Sequence, residues 1–416
     1  MTYFFDVSNE AASRRDDSRQ PRAQVLCLLR DEGALPRITL ARLTGLSPTS
    51  ITRVVNQLIS EGIVAEGATI SPTRLGRPAT EVALRPDSRF VVGAQIGVGS
   101  VSVGLVDLLG RPVDVETFSF ARASRPEEVL RLVATFINGF VDRHGRDNIL
   151  GVGVAAPGPV DAERRRLLLP IHLQWEDVAV ADVLEPLLRL PVTVEHNVRA
   201  MALAESRFGL GKGTAAVAFV YLRTGLGAGL VVDGQPFSGG VHGALELGHM
   251  RTSDRGLPCV CGGSGCLETV VSDRALRARA LRAGVDVDHE ESPLAALVDA
   301  AARGSEDAER AVSEVVSQMA IGLSAMASLL NPDVFFLGGA FADMPADFLH
   351  RLREQTSAAL FPVLRSSLRV EATSLGADAG VIGGGSAALD RYLYDVAVSP
   401  ERDKTITLPT RSAASA

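Results

Sequence analysis

The clearest periodic pattern near the start of the chain lies between Ser47 and Gly62. Apolar residues recur there at i, i+3, i+4, i+7 and i+8, namely Ile51, Val54, Val55, Leu58 and Ile59. Such spacing is typical of a helix that buries one face. Ser47 is a favourable N-cap and Pro48 suits the first helical position. The pattern therefore predicts a helix from Ser47 to about Glu61, with Gly62 just past its end.

Two shorter helices are predicted before this one, near Pro21–Glu32 and Thr39–Thr44, with a turn at Gly45-Leu46. Two strands are predicted after it, at Ile63–Ala65 and Glu81–Leu84. Three helices followed by a strand pair predict a winged helix-turn-helix over residues 21–86, preceded by a mobile tail over residues 1–20. A small three-helix interaction module is the alternative.

The polar face of the third helix carries the candidate DNA contacts. Short polar groups and one arginine occupy it, namely Ser47, Thr49, Ser50, Thr52, Arg53 and Asn56. These groups suit base and phosphate contacts in a major groove. Arg74 and Arg77 lie in the loop between the two strands, where they are placed to enter a minor groove or to bind phosphate.

After Pro86-Asp87 the periodicity changes to that of strands alternating with helices. Three consecutive strands are predicted at Phe90–Val98, Val101–Leu108 and Val113–Phe120, and a helix from Pro126 to about Arg143. The alternation continues to a last helix at Asp378–Leu393. It predicts an α/β body over residues 87–397, followed by a disordered tail over residues 398–416.

Composition and charge narrow the class of protein. The 416 residues are 46% hydrophobic and 22% charged, which is typical of a globular chain. We find no apolar run of membrane-spanning length and no signal-peptide pattern in the polar N-terminus, so we expect a cytoplasmic protein without a membrane partner. Residues 19–85 carry nine arginines against five acidic residues, a charge of +4, although the whole chain carries −7. A basic module on an acidic body favours a DNA-binding head.

Three of the four cysteines fall within eight residues, at Cys259, Cys261 and Cys266, and His249 lies ten positions before the first. Three thiolates and one imidazole form the ligand set of a closed structural zinc site, and the intervening glycines allow tight turns around an ion. A disulfide or three core cysteines is the alternative, but Cys-x-Cys is too close for an easy bridge. The fourth cysteine, Cys27, is expected to be a small core residue.

The motifs Glu-x-Gly-His at 246–249 and Cys-x-Cys-Gly-x-x-Gly-Cys-x-Glu at 259–268 resemble the zinc loop of the ROK family, which joins sugar-responsive repressors and sugar kinases. The Gly-Arg-Pro loop at 76–78 resembles the operator-binding heads of ROK repressors. The resemblance implies a two-lobed, actin-like (ribonuclease-H-like) ATPase-type fold, with lobe 1 at about 87–196 plus the C-terminal helix and lobe 2 at about 197–380. It also implies sugar contacts from one set of residues: Glu195, Asn197, Glu246, His249, Glu268 and His172.

Two positions depart from the pattern of ROK kinases. Gln95 stands where those kinases have the Asp of a Gly-x-Asp-Ile-Gly-Gly-Thr motif, and Asn197 stands where they have the catalytic base of Glu-Asn-Asp-x-Asn. An amide neither balances the charge of a magnesium–phosphate group nor accepts a proton usefully. Arg199 and His196 also depart from the second motif. The resemblance therefore implies a chain without kinase activity.

Together these features predict a cytoplasmic, sugar-responsive DNA-binding regulator, most simply a repressor of carbohydrate genes, with a structural zinc. A homodimer or homotetramer on an inverted-repeat operator is expected, because two-fold symmetry pairs identical half-sites. The alternatives are a ROK sugar kinase with an added head and a ligand-independent DNA-binding protein with a vestigial cavity. His172 and His196 can also be merely structural histidines.

Overall fold

We describe the fold from a computed structural model, which defines residues 8–70, 79–239, 245–254, 256–287 and 292–394. The head contains three helices, α1 (Ser8–Glu32), α2 (Arg37–Thr44) and α3 (Pro48–Ser60). A three-stranded sheet accompanies them in the order β1-β3-β2, formed by β1 (Leu35–Pro36), β2 (Val64–Ile70) and β3 (Ala79–Leu84). The winged helix-turn-helix arrangement expected from the sequence is present in these elements.

The third helix forms as its pattern predicts. The Ser47 hydroxyl accepts a hydrogen bond from the backbone N–H of Ser50 at 3.1 Å, which stabilises the first turn. Ile51, Val55 and Leu58 are fully buried, and burying a side chain of this size contributes about 1.5–3 kcal/mol. Gly62 has a φ of +74°, the left-handed conformation that glycine adopts at little cost after a helix.

The first helix is longer than predicted. It begins at Ser8 and not near Pro21, so part of the predicted mobile tail is helical. Alanine and arginine are strong helix formers and together make up five of the 13 residues from Ser8 to Gln20. The segment lacks an apolar stripe, so its hydrophobic pattern does not reveal the helix. Arg74 and Arg77 lie outside the described residues.

Lobe 1 of the body is built on a five-stranded sheet in the order β6-β5-β4-β7-β8. Its strands are β4 (Phe90–Ile96), β5 (Ser100–Asp107), β6 (Pro112–Ser119), β7 (Ile149–Ala156) and β8 (Val192–His196). β5 pairs antiparallel with β4 and β6, whereas β7 pairs parallel with β4 and β8. Helices α4 (Pro126–His144) and α5 (Val180–Leu188) complete this lobe's core.

Lobe 2 has a second five-stranded sheet, in the order β11-β10-β9-β12-β13. Its strands are β9 (Ala216–Leu222), β10 (Leu226–Val232), β11 (Gln235–Pro236), β12 (Val334–Gly339) and β13 (Val370–Ala372). Its helices are α7 (Glu268–Val271), α8 (Asp273–Arg282), α9 (Pro293–Ala302), α10 (Glu306–Leu330), α11 (Ala346–Ala359) and α12 (Pro362–Arg365). Most of these helices contribute to one large apolar core with this sheet.

Two helices connect the parts of the molecule. α6 (Asn197–Phe208) follows β8 directly and packs against the lobe-2 sheet. α13 (Ala379–Tyr392) returns from lobe 2 to lie across β4 and β7 of lobe 1, and it also packs along α6. The head's core is continuous with the far end of α13, where Leu26 and Tyr394 belong to the same buried cluster.

Some helices differ from the sequence prediction. A single helix is predicted from the sequence at about Glu268–Arg282, but the segment forms two helices that break at Ser272, the N-cap residue of the second. α5 and α6 were not predicted. α10 is long and apolar enough to cross a membrane by length and composition alone, but half of its most apolar window is buried in the protein. Burial of that kind is typical of a core helix.

Candidate functional site

A cavity of about 350 Å³ lies between the two lobes. Lobe 1 contributes Gln95 from β4 and His172 from the short turn Ile171–Leu173, and Asn197 lines the cavity at the start of α6. The polar residues that lobe 2 contributes include Glu246, His249 and Glu268. A concave site between lobes with a few converging polar groups is typical of a small-molecule site.

The predicted metal ligands meet at the lobe-2 wall of this cavity. Ligand atoms of His249, Cys259, Cys261 and Cys266 all lie within 4.8 Å of one another. The Cys261 and Cys266 sulfurs are 3.7 Å apart, close to the roughly 3.8 Å separation that tetrahedral Zn–S bonds of 2.3 Å give. In a disulfide bond the two sulfur atoms would lie about 2.05 Å apart. The arrangement therefore fits a four-coordinate metal and not a bridge between these two cysteines.

The chain path explains how four distant side chains converge. The backbone N–H of Cys259 donates to the carbonyl of Gly263, and Gly262 adopts a φ of +88° in the turn between them. Isolated bridges pair Arg251 with Cys266 and Pro258 with Ser264, which folds the loop back on itself. The glycines thus allow the tight turns that the sequence suggested.

The pKa values of the three cysteine thiols are shifted in the folded protein. Burial raises the pKa of Cys259 to about 12, with the neighbouring thiols Cys261 and Cys266 adding to that rise. A backbone hydrogen bond from Gly263 instead lowers the pKa of Cys261. A divalent cation would allow all three sulfurs to ionise, because metal binding displaces thiol protons. The donor set therefore fits zinc.

The two ring nitrogens of His249 face different groups, one the cysteine cluster and the other the cavity. Its Nδ1 lies 3.4 Å from the Cys259 sulfur, and its Nε2 lies 4.0 Å from the Glu246 carboxylate. A metal on Nδ1 would fix the ring, so Nε2 would be held toward the cavity. Glu246 has a half-exposed carboxylate and keeps its acceptor oxygens available.

Glu268 is the buried acid of the site. Its Oε2 lies 3.2 Å from His172 Nε2 and 3.3 Å from the backbone N–H of Leu226, while Oε1 is 3.7 Å from the Cys259 sulfur. Burial alone would raise the pKa of Glu268, but the hydrogen bond with His172 and the nearby histidine charges lower it overall. Glu268 is therefore an ionised acceptor. His172, His249 and Glu268 also form a second group with ligand atoms within 4.8 Å.

Glu195, which the family resemblance implies as a sugar contact, is not among the residues that line the cavity. It is fully buried, and its Oε1 accepts from the His196 backbone N–H and the Arg199 Nε, both at 2.7 Å. Arg164 lies 3.5 Å from Oε2. Arg199, one of the departures from the kinase motif, places a buried positive charge against Oε1, while Oε2 has no hydrogen-bond partner among the described residues.

The two kinase positions face the cavity with amides. Gln95 lies against the first turn of α13, where a side chain at Gly380 would overlap the Gln95 amide. Asn197 accepts a hydrogen bond from the Val198 backbone N–H at 2.9 Å. The carboxylates among the described lining residues are Glu246 and Glu268, both in lobe 2. His196 also lines the cavity, and its burial lowers its pKa to about 4, so the ring is neutral.

The candidate DNA-contacting face of α3 is open. Thr49, Thr52, Arg53 and Asn56 are exposed, and Ser50 is half-buried. The exposed hydroxyl of Ser47 caps the helix, and the hydroxyl of Thr52 donates to the Pro48 carbonyl.

Sequence reasoning missed Arg37 on this face. The Arg37 guanidinium donates to Asn56 at 3.0 Å and to Glu66 at 2.7 Å, so it fixes the Asn56 side chain. Its position at the first residue of α2 gave no periodic signal.

The head and the body of this chain each match a known protein family model. Residues 91–391 match the model of the ROK family, and residues 22–65 match a winged helix-turn-helix DNA-binding model. The chain is 27% identical over 370 residues to the xylose repressor of Caldicellulosiruptor bescii, covering 86% of this chain and 92% of that protein. It is 27% identical over 375 residues to the DNA-binding transcriptional repressor Mlc of Escherichia coli, covering 88% and 89%.

Two solved structures share the fold. A ROK family transcriptional regulator described as a homologue of the E. coli Mlc protein superposes with a TM-score of 0.77 at 24% identity, over 91% of this chain and 97% of the other. A ROK family glucokinase from Streptomyces griseus, in complex with glucose and AMPPNP, superposes with a TM-score of 0.64 at 28% identity, over 72% and 98%. This chain belongs to the ROK family and carries a winged helix-turn-helix segment ahead of its ROK body.

Proposed function

We propose that this protein is a cytoplasmic transcriptional repressor whose ROK body binds a sugar and whose winged helix-turn-helix binds an operator. The observation that carries the proposal is the composition of the cavity. Hydroxyl acceptors remain at Glu246 and Glu268, whereas the two kinase carboxylate positions are Gln95 and Asn197. Charged carboxylates accept strongly from hydroxyls, so the cavity is suited to binding a sugar and not to phosphorylating it.

The proposed sugar contacts come from both lobes. Glu246, Glu268 and Nε2 of His249 would hold hydroxyl groups on the lobe-2 side, and His172 and Asn197 would reach the same ligand from the other side. Zinc at His249 and the three cysteines would supply a rigid anchor for this loop. Xylose is in the name of one relative and glucose is bound to one similar structure, so both sugars are reasonable first ligands to test.

The proposed DNA contacts lie on α3 and the wing. Thr49, Ser50, Thr52, Arg53 and Asn56 would face the major groove, with Ser47 fixing the start of the helix. Arg74 and Arg77 would contact the minor groove or phosphate. A homo-oligomer would place two such helices on an inverted repeat. The sugar would reduce operator binding only if it binds one body conformation better than another.

The experiment has two arms. Thermal unfolding would be followed with D-xylose, D-glucose, N-acetyl-D-glucosamine and the 6-phosphates of the two hexoses, and DNA sites would be selected from genomic fragments by the purified protein. We expect one of these sugars to raise the melting temperature, and the selected DNA to contain an inverted repeat. A protein that selects DNA but responds to none of the sugars would instead support a ligand-independent regulator with a vestigial cavity.

The kinase alternative is tested separately. With ATP, magnesium and each unphosphorylated sugar, we expect no phosphosugar above the no-enzyme control, because Gln95 and Asn197 supply no carboxylate. Turnover that disappears in Asn197→Ala would contradict the assignment as a regulator alone.

A further inference from the structure

One connecting helix, α6, begins at the cavity, and the other, α13, begins against a residue that lines it. Asn197, which lines the cavity, is the first residue of α6. Gln95 of β4, which lines the lobe-1 side of the cavity, packs against Gly380 in the first turn of α13. With 12 and 14 residues, the helices extend about 18 and 21 Å from the cavity, at 1.5 Å per residue.

Both helices end against the head, at a single carboxylate. Asp390 in the last turn of α13 places Oδ2 3.3 Å from the guanidinium of Arg207 in the last turn of α6, and Oδ1 3.9 Å from that of Arg30 near the end of α1. The side chain of Arg30 is only 2% exposed, and those of Asp390 and Arg207 are 11% exposed. One buried acid therefore joins both cavity helices to the helix that supports the DNA-binding head.

Other contacts fix the position of Arg30. Its Nε and one terminal nitrogen donate to Asp31 at 2.7 and 2.9 Å, and its guanidinium lies 4.6 Å from the centre of the Tyr394 ring. Lys212, just after α6, donates to the Arg30 carbonyl at 3.3 Å. The end of α6 thus contacts α1 directly as well as through Asp390.

Some buried polar atoms at this junction have no hydrogen-bond partner among the described residues. Within the described part of the chain, the Arg30 NH1 and the Arg207 Nε are buried without a hydrogen-bond partner. The separation of 3.9 Å between Arg30 and Asp390 is too long for a hydrogen bond. A shift of less than 1 Å at the end of α13 would bring Arg30 and Asp390 within hydrogen-bond distance, so a small displacement changes the energy of the junction.

The packing of α13 permits such a displacement. A side chain at Gly153 would overlap the carbonyl of Gly384, and one at Gly93 would overlap the carbonyl of Val381. A Cβ at Gly383 would lie 3.0 Å from the backbone of Ala200 in α6. At these glycines α13 is therefore in backbone contact with the sheet and with α6, a contact suited to small shear movements.

We propose that Asp390 is a coupling residue: it transmits closure of the sugar cavity, through α6 and α13, to the DNA-binding head at Arg30. The inference rests on the proposed function, since it assumes that a sugar binds in the cavity and that the head binds an operator. Asp390 touches neither ligand. Its replacement should therefore change the dependence of one binding event on the other and leave each binding event intact.

The experiment compares Asp390→Asn and Arg207→Gln with the wild type. Operator affinity is measured on the selected DNA with and without whichever of D-xylose, D-glucose and N-acetyl-D-glucosamine raises the melting temperature, and sugar affinity is measured by titration calorimetry. Arg207→Lys, which keeps the charge, should restore the response. Arg279→Gln is the matched control, because Arg279 is equally buried at 11% exposure and pairs with Glu314 at 2.7 Å.

In the wild type we expect the sugar to change operator affinity by a factor of about 5 to 150, the usual range of allosteric coupling. Asp390→Asn and Arg207→Gln should reduce that factor at least about threefold, with sugar affinity and sugar-free operator affinity near wild type. Arg279→Gln should leave the factor unchanged. An unchanged factor in both junction variants would overturn the coupling role alone. A wild type that binds no sugar or no operator would overturn the proposed function and this inference with it.

Discussion

His172 Nε2 and Glu268 Oε2 lie 3.2 Å apart and join the two lobes across the cavity. His172 belongs to a turn of lobe 1, and Glu268 begins α7 of lobe 2. Gly225 lies beside both groups, and a Cβ there would be 2.7 Å from the His172 nitrogen. The absence of a side chain at residue 225 is what allows the two lobes to make this contact. A sugar that enters the cavity must either use this pair or displace it.

Replacing His172 tests the stabilising role of this contact. His172→Ala removes a hydrogen bond to a charged and mostly buried carboxylate, so we expect the free energy of unfolding to fall by about 1–2 kcal/mol. His172→Asn keeps a donor and should lose less. The measurement is urea unfolding of the sugar-free protein. Equal losses in the two variants would show that packing, and not the hydrogen bond, holds the lobes together here.

Metal analysis tests the cysteine cluster. Protein purified without chelator should contain about one zinc per chain, because the four ligands complete one tetrahedral site. Cys261→Ser should lose the metal and lower the melting temperature, whereas Cys27→Ser should keep it, since Cys27 lies in the head. Elemental analysis and thermal unfolding provide the readouts. Full zinc occupancy in Cys261→Ser would mean that the ligand set is wrong.

The neutral state of His196 predicts a pH dependence of stability. Burial lowers its folded pKa to about 4, whereas an unfolded histidine titrates near 6.5. Between these values the unfolded chain binds the extra proton, so the stability contributed by neutral His196 is present above pH 6.5 and is lost as pH falls toward 4. Between pH 7 and pH 5 this contribution to the free energy of unfolding falls by about 1–2 kcal/mol.

The matched variant for this prediction is His196→Asn, which cannot take up the proton. Urea unfolding at pH 7 and pH 5 should show a smaller loss of stability in this variant than in the wild type. Comparing the two proteins cancels the contribution of the other titrating groups. An identical loss in both would show that His196 titrates in the folded protein as it does in the unfolded chain.

Arg53 provides a direct test of the DNA-binding face. Arg53→Ala should weaken operator binding and, if Arg53 contacts phosphate, reduce the slope of log affinity against log salt by about 1. If Arg53 instead reads a base, the loss should be about 1–3 kcal/mol and confined to sites with that base. Arg131→Ala on α4 is the control, because it removes the same charge from an exposed position on the body. Equal behaviour of the two variants would remove α3 from the interface.

The sequence predicted local features well where one short segment carries the information. The capped helix at Ser47 and the glycine-rich cysteine loop are both such segments, and the structure contains both. For Glu195 the motif gives the position in the chain but not the buried partners. One oxygen of its carboxylate accepts a hydrogen bond from Arg199, and that contact depends on the direction of a buried side chain.

Contacts between distant segments could not be read from the sequence. His172 and Glu268 are 96 residues apart, and Arg207 and Asp390 are 183 apart. Neither pair belongs to a periodic pattern, and each forms only when the lobes and connecting helices are assembled. The contacts that would link sugar binding to the head therefore arise from the fold, and local sequence spacing does not reveal them.

Glu246 is expected to contact the sugar and to have no part in operator binding itself. Glu246→Gln keeps the size of the side chain but replaces a charged acceptor with a neutral one, which should cost about 1–2 kcal/mol of sugar affinity, or roughly a tenfold increase in the sugar concentration required. Glu354→Gln, on an exposed position of α11, should behave like the wild type.

The most direct test is an operator titration of the wild type and Glu246→Gln, with and without the sugar identified by thermal unfolding. We predict equal operator affinity in the two proteins without sugar, and release of the variant only at roughly tenfold higher sugar concentration than the wild type. A Glu246→Gln protein that is released at the wild-type sugar concentration, or that no longer binds the operator without sugar, would contradict the account.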